Sequence, residues 1–255
     1  MSHHIIKADE IHFTYPDGFH AIRGISFLIT HGESVAIVGA NGAGKSTLLM
    51  HLNGLLLPTQ GGLRVGDYPV TKETAHHIKR SVGMVFQNPD DQLFMPTVYD
   101  DVAFGPLNLG FPPEEINGRV QQTLETVGAD HLTNRPSHRL SGGEKRRVAI
   151  ATVLSMTPDI LILDEPTSDL DPGARRRLIE LLGTFHHTKI IATHDLDMVL
   201  DLCERTIIMN EGSILADGRS AEILRDEALL KKSSLEKPLR LQGCPVCGKK
   251  MKTRR

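Results

Sequence analysis

The amino-acid sequence predicts an α/β fold with a mostly parallel sheet, an N-terminal antiparallel β subdomain and an inserted helical subdomain. Three observations carry this. Short apolar runs such as Ile160-Leu161-Ile162-Leu163 alternate with segments of helical period. A glycine-rich loop, Gly39 to Thr47, joins one such run to a helix. From about Asp91 to Pro136 the alternation stops, and Pro106, Pro112 and Pro113 break up a mostly helical stretch.

The elements follow in order. Ile11-His12-Phe13-Thr14-Tyr15 alternates, Pro16-Asp17-Gly18 signals a turn, and Ile25-Ser26-Phe27-Leu28-Ile29 alternates again. This is an antiparallel pair that feeds the apolar strand Ser34-Val35-Ala36-Ile37-Val38. A helix begins with Lys45, and Val82-Gly83-Met84-Val85-Phe86 is a further short strand. Residues 114–127 have helical pattern, as do 143–156. The strand at 160–163 precedes a helix from about Pro172 to Phe185, a strand at 189–193 and a helix at 198–203. Two strands at 206–209 and 212–215 then form a hairpin across Asn210-Glu211. Strands that alternate with helices place ligands at the C-terminal edge of the sheet. One large domain over residues 1–230 is expected, with the helical subdomain at about 91–156. Residues 231–255 form a basic tail that reads as mobile.

Composition excludes several classes. The 255 residues are 40% hydrophobic, enough for a sizeable core. Net charge is −2, aromatics are 4% and Trp is absent, so neither a basic field nor a stacking platform draws the chain to nucleic acid. No apolar run approaches the ~20 residues that span a bilayer. Met1 to Lys7 lacks a signal-peptide apolar core, which points to a cytoplasmic chain. Three cysteines do not make a disulfide framework.

The loop Gly39-Ala40-Asn41-Gly42-Ala43-Gly44-Lys45-Ser46-Thr47 fits the pattern G-x-x-x-x-G-K-[ST], in the strand–loop–helix setting it requires. That predicts a P-loop NTPase core. Glycines let successive N–H groups converge on phosphate oxygens, and the helix start adds positive charge. Lys45 brings an ammonium to the β- and γ-phosphates, and the Ser46 hydroxyl can complete Mg²⁺ coordination. The strand at 160–163 ends in Asp164-Glu165-Pro166. Asp164 suits a Mg²⁺ ligand, and Glu165 a general base for an attacking water. Leu140-Ser141-Gly142-Gly143-Glu144 opens a helix and makes a second anion site from a hydroxyl and N–H groups. One nucleotide does not need two such sites in one chain.

With these motifs in place, the chain resembles an ATP-binding-cassette (ABC) ATPase from about Ile5 to Leu230. Residues 39–47 match Walker A, residues 160–165 match Walker B, and residues 140–144 match the family signature, with Glu144 where Gln is commoner. Gln87 stands at the Q-loop position, a Mg²⁺ and water ligand. Ser168-Asp169-Leu170-Asp171 stands at the D-loop, where Asp169 departs from the usual small residue. His194 matches the switch histidine at the γ-phosphate, and Tyr15 stands where an aromatic stacks on adenine. The resemblance implies ATP and Mg²⁺ as cofactors. It also implies a head-to-tail dimer, with itself or a paralogous ATPase. Each ATP would lie between Walker A of one chain and Ser141, Gly142, Gly143 and Glu144 of the other. In-line attack falls to Lys45, Gln87, Glu165 and His194, and Ser168 and Asp171 belong to the crossing D-loop.

Further stretches are similar to ATPases of energy-coupling-factor importers. They include Phe86-Gln87-Asn88-Pro89-Asp90-Asp91-Gln92-Leu93-Phe94 and Asp100-Asp101-Val102-Ala103-Phe104-Gly105-Pro106. Glu144 to Ala151 and Leu154-Ser155-Met156 look most like the cobalt-type branch, which implies cobalt, or nickel, as cargo. The resemblance implies a motor subunit on the cytoplasmic face of the cell membrane, with a transmembrane coupling subunit, a substrate-binding membrane subunit and no nucleic acid. A vitamin importer of the same type is the alternative. A soluble, non-transport cassette ATPase fits less well, because no coiled coil separates Walker A from the signature. A regulatory GTPase lacks its Asn-Lys-x-Asp signature.

The 13 histidines include the pairs His3-His4, His76-His77 and His186-His187, which read as surface residues rather than metal ligands. Adjacent side chains on a helix point about 100° apart. Cys244-Pro245-Val246-Cys247 is half of a zinc-knuckle pattern, with metal binding the less favoured reading.

Overall fold

The computed structural model describes residues 6–242. Two sheets organise it. The smaller has the order β2-β1-β4-β5 and is built from β1 (Ile6–Thr14), β2 (His20–Ile29), β4 (Gln60–Val65) and β5 (Tyr68–Pro69), all antiparallel. The larger has the order β10-β9-β3-β8-β7-β6. Its parallel strands are β3 (Ser34–Val38), β6 (Val82–Val85), β7 (Ile160–Asp164), β8 (Thr188–Ala192) and β9 (Arg205–Asn210). The edge strand β10 (Ser213–Arg219) runs antiparallel to β9.

Every residue of β7 and β8 is buried. β7 accordingly reads as an apolar run up to Asp164, whereas β8 opens on Thr188 and Lys189, whose buried ammonium donates to the Leu182 carbonyl. Their side chains still alternate between two cores. Leu161 and Leu163 face one with Ala36 and Val38, whereas Ile160 and Ile162 face the other with Val35 and Ile37. The second core is closed by the small sheet and by α1 (Lys45–Leu52). The first is closed by α3 (Val98–Asn108), α4 (Pro113–Thr126), α5 (Gly142–Leu154), α6 (Pro172–Gly183) and α7 (Leu196–Leu202).

Three findings depart from the sequence reading. Pro106 does not break its segment but lies inside α3. A proline there removes the N–H that would bond the carbonyl four residues back, at Val102. The buried Ser155 hydroxyl donates to that carbonyl at 2.9 Å and fills the gap. Residues 53–81 carry β4, β5 and α2 (Ala75–Ser81), none of which the pattern announces. Gly61-Gly62 hides the strand. A Cβ on Gly61 would stand 2.0 Å from the Glu10 carbonyl oxygen, so the close approach of β4 to β1 demands glycine.

The tail is the third. After α8 (Ser220–Ile223) and α9 (Glu227–Lys232), the chain runs on to a 3-10 turn, Leu239–Leu241, laid against α7. Arg240 places Nη1 2.6 Å and Nη2 2.5 Å from the two Asp201 carboxylate oxygens. The Leu239 and Arg240 N–H groups both donate to Asp197. This stretch is anchored rather than mobile. Cys244 and Cys247 lie outside the described residues.

Candidate active site

The parallel strands β3, β8, β7 and β6 are neighbours, so their C-terminal ends deliver loops to one edge. The glycine-rich loop leaves β3, Glu165 leaves β7, Gln87 follows β6 and His194 follows β8. A cavity of about 480 Å³ brings Asn41, Gly42, Gly44, Lys45, Ser46, Thr47, Gln87, Glu165 and His194 together.

Packing makes two of the loop glycines obligatory. A Cβ on Gly39 would stand 2.3 Å from the Met209 carbonyl oxygen. Gly44 has φ 99°, and a Cβ there would stand 2.7 Å from the Ala21 carbonyl oxygen. Lys45 is buried, and its Nζ donates to the Gly39 and Ala40 carbonyls at 2.8 and 3.2 Å. It stands 3.9 Å from Glu165 Oε1.

Glu165 occupies a strained position. Its φ is 44°, in the left-handed region, and its N–H donates to the Ala192 carbonyl. Its buried carboxylate takes the Thr193 hydroxyl and the His194 N–H at 3.2 Å each through Oε2. His194 Nδ1 lies 2.8 Å from the same oxygen, while its side chain stays 64% exposed. A base held in low dielectric beside a solvent-facing imidazole suits proton removal from a bound water.

Asp164 is 4% exposed, and its Oδ1 has no hydrogen-bond partner. Burial pushes its carboxyl up from the ordinary aspartate range, against a hydrogen bond from Ser46; the charge of Glu165 adds to the rise. A buried carboxylate with an orphaned oxygen beside a serine hydroxyl fits a hard divalent cation, so Asp164 and Ser46 match the chemistry of a Mg²⁺ site.

Tyr15 is half-buried. Its hydroxyl lies 3.1 Å from Thr47 Oγ1, and its ring meets Phe13 edge-on at 4.8 Å. Phe19, at the tip of the same hairpin, is 55% exposed and lines the cavity, which Tyr15 does not. The sequence reading passed over Phe19. Its signal is an aromatic one residue beyond Pro16-Asp17-Gly18.

Ser141 opens onto a different cavity, of about 400 Å³, which Gly142, Gly143, Glu144, Asp171 and Arg177 also line. Here Ser141 is the N-cap of α5 in a complete capping box with Glu144. The Ser141 N–H and hydroxyl both donate to Glu144 at 2.8 Å and hold that carboxyl below its ordinary range. Asp171 caps α6 by accepting from Gly173 and Ala174, and Asp169 has φ 61°. Between the two lies a third cavity of about 540 Å³, where Ser46, Gln87 and Asp164 face Leu140, Gly142 and Asp169. Thus Lys45, Glu165 and His194 share one cavity, Ser141, Gly143 and Glu144 open onto another, and only Leu140 and Gly142 of the signature border the Ser46–Asp164 side.

Arg146, which the sequence reading also missed, is buried and donates to the Phe86 and Gln87 carbonyls at 2.9 and 2.6 Å. Gln92 donates to the Ala149 carbonyl and the Thr152 hydroxyl, each at 2.7 Å. Both contacts bridge about sixty residues, so no local pattern signals them. His76, His77, His186 and His187 are exposed, and the rings of His76 and His77 lie 3.8 Å apart.

The family model for ABC transporters matches residues 22–168. An ABC transporter ATP-binding protein of Geobacter sulfurreducens is 64% identical over 98% of this chain and 100% of its own length. The energy-coupling factor transporter ATP-binding protein EcfA of Methanocaldococcus jannaschii is 44% identical over 92% of this chain and 86% of its own. Among solved structures, CbiO1 of Clostridium perfringens, part of the ABC transporter complex cbiONQ, superposes with TM-score 0.79 at 42% identity. That match covers 90% of this chain and 94% of CbiO1. The ATP-binding cassette MJ0796, in a dimeric post-hydrolysis state bound to ADP and Pi, superposes with TM-score 0.77 at 27% identity. That match covers 84% of this chain and 98% of MJ0796. The glycine-rich loop, the strand-end carboxylates, the separate serine-capped helix and these likenesses agree: the chain belongs to the ABC transporter ATP-binding family and resembles its energy-coupling-factor members.

Proposed function

We propose that this chain hydrolyses ATP to ADP and phosphate as the motor subunit of an energy-coupling-factor importer, and that the cargo is cobalt or nickel. The observation that carries the reading is the split site. Lys45, Ser46, Gln87, Glu165 and His194 share one cavity, and Ser141 opens onto another. Two chains placed head to tail would bring Ser141, Gly142 and Gly143 of one against the nucleotide of the other. The dimeric state of MJ0796 with ADP and Pi supports this arrangement.

The residue roles follow from position. Residues 39–47 cradle the phosphates by backbone N–H groups, and Lys45 neutralises charge on the β- and γ-phosphates. Ser46, Gln87 and Asp164 are the residues that would hold Mg²⁺, which when bound would offset the phosphate charge. Glu165 orients a water in line with the γ-phosphate and accepts its proton. His194 closes over the γ-phosphate and keeps Glu165 in place. Ser168 and Asp171 belong to the loop that crosses to the partner. Phosphate release removes the ligand that bridges the two chains, so the dimer reopens.

The cargo assignment rests on the stretch from Glu144 to Ala151 and on the likeness to CbiO1. A vitamin importer is the alternative; the EcfA relatives support the energy-coupling-factor type and name no cargo. Phe94, Phe104 and Leu107 are exposed, with Phe94 and Phe104 edge-on at 4.9 Å, just beyond the Gln87 loop. That apolar patch suits a cytoplasmic loop of the membrane coupling subunit. Among the described residues no helix is long and apolar enough to cross a membrane, which fits a peripheral subunit on the cytoplasmic face. The ATPase domain spans residues 1–230, with its helical subdomain at about 91–156, and residues 231–255 are a C-terminal tail whose start continues α9 and whose residues 239–241 dock on α7.

The test compares wild type with Glu165→Gln by ATP turnover, and by size exclusion with and without ATP and Mg²⁺. Loss of turnover with an ATP-trapped dimer is expected. Undiminished turnover removes Glu165 from the role of base. Radiolabelled cobalt uptake by cells that express the chain with its membrane partners tests the cargo.

A further inference from the structure

The residues that flank the D-loop, Thr167 and Arg175, meet the switch loop at one carboxylate. Asp195 follows His194 and accepts four hydrogen bonds. Arg175 donates Nε to Oδ2 at 2.6 Å and Nη2 to Oδ1 at 2.7 Å. The Thr167 hydroxyl donates to Oδ2 at 3.1 Å, and the Met198 N–H to Oδ1 at 3.0 Å. Each oxygen thus has two donors, and the guanidinium fork fixes the carboxylate plane as a point charge would not. Burial alone would raise the Asp195 carboxyl, but these donors, Arg175 foremost, hold it below the ordinary range.

The donors come from three places. Arg175 lies on α6, directly after residues 168–171. Thr167 is two residues past Glu165, and Met198 is on α7. On the other side, the Asp195 N–H donates to the Thr193 hydroxyl at 3.0 Å, and that hydroxyl donates to Glu165. His194 sits between these two anchored residues. Its ring is mostly exposed, so side-chain packing does not set its distance from Glu165.

We propose that Arg175 is a positioning residue for His194, acting through Asp195, and that it makes the D-loop helix and the switch loop move as one piece. This rests on the ATPase reading for its effect on turnover, but not for its effect on geometry. An ion pair that served only to cap α7 would stabilise the fold and leave His194 alone. Arg176 supplies the contrast. On the same helix it pairs with Glu180 at 2.9 Å and reaches Asp201 at 3.5 Å, away from residues 193–195.

The experiment uses the full chain as wild type, Arg175→Ala, Arg175→Lys and Arg176→Ala. ATP turnover and the Kd of a fluorescent ATP analogue are measured for each. The His194 imidazole resonance, assigned by its loss in His194→Ala, is followed in parallel. Arg175→Ala should lower kcat about 10–100-fold with Kd within about twofold, the scale of a small misplacement of a reacting group. Arg175→Lys should fall between, and Arg176→Ala should match wild type. The His194 resonance should move in Arg175→Ala and not in Arg176→Ala. An unmoved resonance overturns the proposal, as does unchanged kcat beside a lowered Tm, which marks a stabilising cap alone. A resonance that moves in a chain without ATP turnover upholds the latch and sinks the ATPase reading instead.

Discussion

The strand-end cleft and the signature end of α5 both join a glycine-containing stretch to a helix start, yet they are built oppositely. In the cleft Lys45, Asp164 and Glu165 are buried, and Glu165 is held in a strained backbone by neighbours on β8. At the signature end Ser141 and Gly142 are exposed, and the Ser141 hydroxyl is satisfied within its own chain by Glu144. The cleft is preorganised by the sheet. The signature is a helix start that presents N–H groups outward. The difference teaches which half a chain completes alone: the strained half is enclosed, and the half that the head-to-tail proposal assigns to a second chain is exposed.

Glu165→Gln should break the cleft most deeply. Turnover should fall about 10²–10⁴-fold, the range for loss of a general base, with ATP binding retained. Parallel turnover and binding measurements check it. Loss of binding as well would show the carboxylate to be part of the cradle instead.

Ser155→Ala tests the arm that carries the signature. It leaves the Val102 carbonyl, already deprived of its helical partner by Pro106, buried and unbonded. A loss of about 1–3 kcal/mol is expected in urea unfolding. Combining it with Pro106→Ala, which restores an N–H, should recover most of that loss.

Ser141→Ala probes the exposed end and should cost about 1 kcal/mol as a lost helix cap. Its larger consequence should be in assembly. ATP binding to the single chain should persist in equilibrium dialysis, while the ATP-dependent dimer disappears from size exclusion. A dimer that survives would separate Ser141 from the partner's nucleotide.

Asp164 gives the smallest effect and a pH signature. Its folded carboxyl lies above the ordinary aspartate value, so the folded state holds the proton more tightly than the unfolded chain. Its contribution to stability is therefore lost as pH rises from the ordinary value through the folded one. Above that window the ionised form is a fixed cost that Mg²⁺ relieves. Calorimetry should show Mg²⁺ raising Tm more at neutral pH than in acid. Asp164→Asn should melt higher than wild type without Mg²⁺ and gain little when it is added.

Much of this was legible in sequence because the information is local. Residues 39–47 specify a loop whose glycines answer contacts within a few ångströms, and buried parallel strands have to read as apolar runs. Pro106 misled because a proline's local effect is to break helices. Its cure, Ser155, lies 49 positions along. The strand at 60–65 was concealed because the glycine that permits its approach to β1 also erases its alternation.

The sequence by itself determined the class of chemistry, namely a phosphate loop, strand-end carboxylates and a serine-capped helix start, because each is written in adjacent residues. Tertiary structure alone decided which of them share a cavity. It also decided that Arg146 and Gln92 tie the Gln87 loop to α5, and that Arg175 holds Asp195 beside His194. Those contacts join residues 20 to 60 positions apart, and side-chain hydrogen bonds at that separation leave no periodic trace in the chain.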